Sequence, residues 1–131
     1  MMQITELRIG NWIKYQDKHL QVIEFNSYMI CCAPHWGFDN FEEVEGIPLT
    51  PEILYKCGFD DWSGDQVYAK LGLSLSKKTN FNLIFAYHIR KEKFEYVNLG
   101  GDGDMDLDIK YLHQLQNLYF ALTGNELEIN L

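Results

Sequence analysis

Apolar and polar residues alternate most regularly near the middle of the chain. Val67, Ala69, Leu71, Leu73 and Leu75 alternate with Tyr68, Lys70, Gly72, Ser74 and Ser76. A period of two predicts a strand with one covered face. Lys77 to Asn80 predicts a turn. Phe81, Leu83, Phe85, Tyr87 and Ile89 then form one face of a second strand, and Arg90 to Lys93 turns the chain into a third, Phe94 to Leu99. The first third has similar punctuation. Strands are predicted over Gly10–Tyr15, His19–Phe25 and Tyr28–Ala33, with turns at Gln16-Asp17-Lys18 and Asn26-Ser27. Pro34 to Asn40 reads as a loop carrying Trp36 and Phe38, and Phe41 to Leu49 as extended chain interrupted at Gly46.

Two segments switch to helical spacing. Thr50-Pro51-Glu52 is a helix start: Thr offers the capping oxygen, and Pro suits a first position whose N–H has no partner. Gly58 ends this short helix. Tyr111 to Thr123, closed by Gly124, places Tyr111, Leu112, Leu115, Leu118, Tyr119 and Leu122 on one side and His113, Gln116 and Asn117 on the other. Phe120 projects from the polar side. The tail Glu126 to Leu131 alternates and is expected as an edge strand. The predicted fold class is α+β, mostly antiparallel β-meanders with a short middle helix and one C-terminal helix packed on the sheet. A single domain over 1–131 is expected, with an N-terminal meander (about 1–49) and a C-terminal meander plus helix (about 66–124) sharing one core. The helix is expected to cover the second meander.

With 131 residues, 47% apolar and 23% charged, the chain has ordinary globular composition. The net charge of −8 argues against a general duplex-DNA binder, because phosphate affinity comes from Lys and Arg. No stretch approaches the ~20 apolar residues of a membrane span. The first residues lack a basic segment followed by an apolar one, so no secretory signal is read. Three cysteines, two of them adjacent at Cys31 and Cys32, fit reduced thiols and a cytoplasmic setting.

Three segments carry a resemblance. They are Leu7-Arg8-Ile9-Gly10-Asn11-Trp12-Ile13, Ile47 to Leu54 with Cys57-Gly58-Phe59, and Tyr111 to Gly124. Together they resemble a family of small uncharacterised proteins encoded in prophages and mobile elements of Bacteroides-like gut bacteria. The resemblance implies a cytoplasmic, phage-associated origin and transfers no catalytic residue.

The candidate chemistry is sparse. Asp102, Asp104, Asp106 and Asp108 alternate after Gly100-Gly101, and carboxylates in such a run can ligate a hard cation. The EF-hand pattern is broken, since its sixth position is Leu107 and its twelfth is His113. The plainer reading is a solvated acidic turn. Cys31, Cys32 and His35 lack the paired spacing of structural zinc. In a strand, adjacent cysteines point to opposite faces, so one is expected in the core and the other half-exposed. No nucleophile or phosphate-loop signature is present, and no cofactor is implied.

Charge is uneven. Residues 67–98 carry six basic and two acidic groups, while residues 31–66 carry one and eight. Lys70, Lys77, Lys78, Arg90, Lys91 and Lys93 lie near aromatic residues, a combination that grips single-stranded nucleic acid. The chain also has eight Phe, eight Tyr and three Trp. Trp36, Phe38, Trp62 and Phe120 look under-buried, and aromatics concentrate at interface hot spots. The expected function is therefore non-enzymatic: a phage- or mobile-element-associated accessory protein that binds another protein or itself, with a homodimer through Phe120 as one form. The alternatives are a single-strand nucleic-acid-binding module on the basic meander, and a small metal-dependent enzyme on the Asp102–Asp108 run.

Overall fold

In the computed structural model, which describes residues 6–26, 29–33, 38–40, 44–60, 68–76, 81–98, 104–105 and 108–131, the first hairpin forms where the punctuation predicts it. Strand β1 (Trp12–Tyr15) meets β2 (Lys18–Phe25) across the two-residue loop Gln16–Asp17. Both loop residues have positive φ, 48° and 63°. That is the primed-turn geometry whose twist matches the twist of the strands it joins. Strand β3 (Met29–Ala33) pairs with β2, and β4 (Phe38–Asn40) with β3, giving an antiparallel sheet in the order β1-β2-β3-β4. The segment expected as a loop, Pro34–Asn40, thus ends in a strand, with Phe38 opposite Cys31.

The β2–β3 register shifts between Val22 and Glu24, so Ile23 is an extra residue on its strand. Such a bulge bends the strand and adds twist. Ile13, Leu20, Val22, Ile30 and Cys32 gather with Leu7 and Val44 as one core cluster. Cys31 is buried as well. The expectation of one core and one half-exposed cysteine is therefore corrected: both faces of β3 are covered at this point.

Helix α1 (Pro51–Lys56) starts as predicted. The Thr50 side chain accepts a hydrogen bond from the Ile53 N–H, Pro51 opens the helix, and Gly58 leaves it at φ 95°. Strands β5 (Tyr68–Ser76), β6 (Phe81–His88) and β7 (Lys93–Asn98) form the predicted meander. A fourth strand joins it. Asp104 and Met105 (β8) pair with Asn98 and Val97, giving the order β5-β6-β7-β8. The acidic run is thus not wholly a turn. Its alternation suits a strand, and acidic side chains on an edge strand discourage further pairing. The tail predicted as an edge strand forms none: it is irregular, holding on through the buried Leu127 and a bond from the Asn130 N–H to the Lys56 carbonyl.

Helix α2 (Leu112–Thr123) ends at Gly124, at φ 73°. The chain clusters into two compact units, Met1–Pro48 with Tyr111–Glu126, and Leu49–Lys110 with Leu127–Leu131. The C-terminal helix therefore folds with the first sheet, packing on β1, and not with the second meander as the periodicity suggested. In the second unit, Leu54, Cys57 and Phe59 are buried with Phe85, Ala86 and Tyr87 of β6, and the Phe59 and Phe85 rings meet at 6.4 Å. Burial pushes the Cys57 thiol up to about 12, which keeps it protonated and inert.

In the first unit, Gly46 lies flat against the Tyr111 ring. A Cβ there would sit 2.7 Å from Tyr111 Cγ and Cδ1, closer than atoms pack. Gly46→Ala is expected to cost about 1–3 kcal/mol, the usual range for overpacking, read as a lower midpoint in urea.

Candidate functional site

The side chains that come together most closely lie where the N-terminal segment runs along α2. Arg8 N–H donates to Asn11 Oδ1 at 2.7 Å and the Asn11 N–H returns to the Arg8 carbonyl, with Gly10 at φ 99° completing the turn. This turn aims the Asn11 side chain inward, where its Nδ2 donates to Asn117 Oδ1 at 2.9 Å. Asn117 Nδ2 donates to the Glu6 carbonyl, and Asn117 Oδ1 also accepts from Arg8 Nε at 3.1 Å. The Gln116 amide bonds to the main chain: Trp12 N–H donates to its Oε1 at 2.8 Å, and its Nε2 donates to the Gly10 carbonyl at 3.1 Å. A side-chain amide presents the same donor and acceptor as a peptide group, so Gln116 partners the start of β1 much as a neighbouring strand would.

The exposed side of this clasp is formed by Arg8. Its guanidinium grips both carboxylate oxygens of Glu126, and its carbon lies 4.5 Å from the centre of the Phe120 ring. Phe120 is 40% exposed and Ile9, next to Arg8 in sequence, is 59% exposed. The sequence places Phe120 on the polar side of its helix, and the structure supplies the reason: the ring carries a cation. Cation–π and exposed ion-pair contacts of this kind contribute only about 0–1 kcal/mol each. The buried amides matter more to stability than the exposed pair.

Helix α2 is rotated relative to its apolar stripe. Leu112 and Leu115 are buried as predicted, but so are His113 and Gln116, while Leu118 is half-buried and Tyr111 is exposed. His113, which the periodicity puts on the polar side of the helix, is buried instead: it is 1% exposed, and its ring stacks on Tyr111 at 5.8 Å.

No family model, curated protein or solved structure matches the chain. The candidate residues are thus weighed on placement alone. Of the four aromatic candidates, Phe120 is exposed, Phe38 lies in β4, and Trp36 and Trp62 fall outside the described residues. Of the basic candidates, Lys93 pairs with His88, whose other neighbour is Tyr68, and the exposed Arg90 and Lys91 occupy the turn at that end of the second sheet. Lys70 stands two positions further in, opposite Ala86. Lys77 and Lys78 fall outside the described residues, as do Asp102 and Asp106. Asp104 is in β8, and Asp108 is exposed beside Lys110 at 3.9 Å. None of the described helices is long and apolar enough to cross a membrane.

The clasp was missed by sequence reasoning. Arg8 and Glu126 are 118 positions apart, and no local pattern links them.

Proposed function

We propose that this is a non-enzymatic accessory protein of a phage or mobile element, acting in the cytoplasm by binding another protein or a second copy of itself. The observation that carries this reading is the exposed pair of Arg8 and Phe120, where an arginine lies on an exposed aromatic ring; Ile9, next to Arg8 in sequence, is exposed as well. Aromatic and arginine side chains are the types that dominate binding hot spots. The Glu126 carboxylate and the Asn117 amide hold the arginine in place, which lowers the entropy lost on docking. The resemblance of residues 7–13, 47–54 and 111–124 to mobile-element proteins supports the setting.

Sedimentation velocity of wild type and Phe120→Ser at micromolar concentration tests the reading. The wild type is expected to associate as concentration rises, and the variant to remain monomeric with an unchanged melting midpoint. A wild type that stays monomeric would shift the reading to a different protein partner.

A second reading rests on the basic end of the second sheet, where Arg90, Lys91 and Lys93 cluster beside the Tyr68–His88 row. It makes the protein a single-strand nucleic-acid binder. Titrating the same samples with a labelled single-stranded oligonucleotide separates the two, because binding through phosphates weakens steeply with salt.

A further inference from the structure

His113 has a buried imidazole that nothing in the clasp uses. Both ring nitrogens are shielded from solvent, and neither has a hydrogen-bond partner among the described residues. Buried polar atoms are nearly always paired, so an orphaned pair in the first turn of α2 needs a reason. One face of the ring stacks on Tyr111, which itself lies on Gly46. From the N-terminal segment, the Glu6 carboxylate stands 3.9 Å from Nε2, beyond hydrogen-bond reach, and Glu6 is 40% exposed. Glu6 is the charged group whose field reaches the ring among the described residues, and Arg8 is turned away onto Asn117 and Glu126. Tyr111, from the helix itself, is the other titratable group against the ring.

We propose that His113 is an acid-operated latch, whose protonation loosens the first turn of α2 from the N-terminal segment and uncovers the apolar side chains of Leu7 and Leu112. A neutral imidazole tolerates this site at the cost of two unpaired nitrogens. An imidazolium does not, because it is a double donor in a dry pocket. Its nearest relief is Glu6, and moving the ring outward towards that carboxylate takes it off Tyr111. Tyr111 anchors the turn, since its N–H donates to the Gln114 side chain and its carbonyl accepts from the Leu115 N–H. The proton comes from solvent.

The direction in pH follows from the environment. Burial holds His113 below its ordinary value of 6.5, and Glu6 offsets only part of that. The unfolded chain therefore takes up the proton first. Stability is complete above the unfolded value and is lost as pH falls through the interval down to the folded one.

The test is the melting midpoint of wild type, His113→Phe and Glu6→Gln between pH 7.5 and 5. Phe keeps the flat apolar ring and removes the titration. Wild type is expected to lose several degrees more than His113→Phe over that range. Glu6→Gln is expected to lose more still, because the attraction that partly offsets burial is gone. Parallel profiles for wild type and His113→Phe would overturn the proposal. If His113→Phe does not fold, ring-proton NMR of the wild type decides. The His113 midpoint is expected below the ordinary value of 6.5, with faster amide exchange at residues 112–116 in acid after correction for intrinsic rates. A His113 midpoint at or above 6.5 would equally overturn it.

Discussion

Leu115→Ala is expected to remove about 2–5 kcal/mol of stability, the largest single loss of any substitution considered. Leu115 has no exposed surface, and it lies on the side of α2 that packs in the first unit. The loss combines the transfer free energy of the deleted atoms with the cavity left in a close-packed core. At an ordinary net stability of about 5–15 kcal/mol, a loss in the upper part of that range leaves a marginal protein. Urea unfolding measures it, and the midpoint should fall with little change in slope. Amide exchange adds the location. Because α2 shares a compact unit with β1, protection should drop in β1 and β2 as well as in the helix. A variant that unfolds like wild type would mean that the helix is a detachable element and that its burial contributes nothing.

Gln116→Met tests the amide clasp, with an expected loss of about 1–3 kcal/mol. Methionine is unbranched and close in size, so packing is nearly conserved and the polar pairing is what disappears. Three bonds are lost, unequally: Asn11 Nδ2, 3.5 Å from Gln116 Oε1, still donates to Asn117 Oδ1 at 2.9 Å. The Gly10 carbonyl keeps a second donor, the Gln21 side chain at 3.1 Å. The Trp12 N–H loses the acceptor that held it at 2.8 Å. The cost is therefore that of one newly unpaired donor rather than two unpaired groups. The Trp12 amide should exchange faster in the variant than in Leu115→Ala scaled to the same stability. An unchanged midpoint would show that the site adapts without the amide, and that the clasp is a consequence of packing rather than a support for it.

Several elements were legible along the chain because their causes are local. The Gln16–Asp17 turn, the Thr50–Pro51 helix start and the Tyr68–Ser76 alternation each depend on a few neighbouring residues, and each appears where its pattern predicts. The α+β class and the antiparallel pairing follow from such elements and their spacing. The C-terminal helix was legible too, from its period and from the Gly124 that closes it.

Which surface of that helix is buried, and against which sheet, was decided only by tertiary structure. Period alone favours the stripe through Leu115, Leu118 and Leu122, because a hydrophobic pattern weighs side chains by their affinity for water. His113 and Gln116 look solvated by that measure, yet both are buried. Gln116 is buried because a segment a hundred positions earlier offers it a peptide N–H and a carbonyl at matching distances. The same holds for Phe120, which the pattern leaves exposed and unexplained until Arg8 is found above its ring. Local sequence determines which backbone shapes are affordable and where they stop. Burial of a polar residue depends on whether a partner arrives, and partners distant in the chain meet only when the whole fold closes.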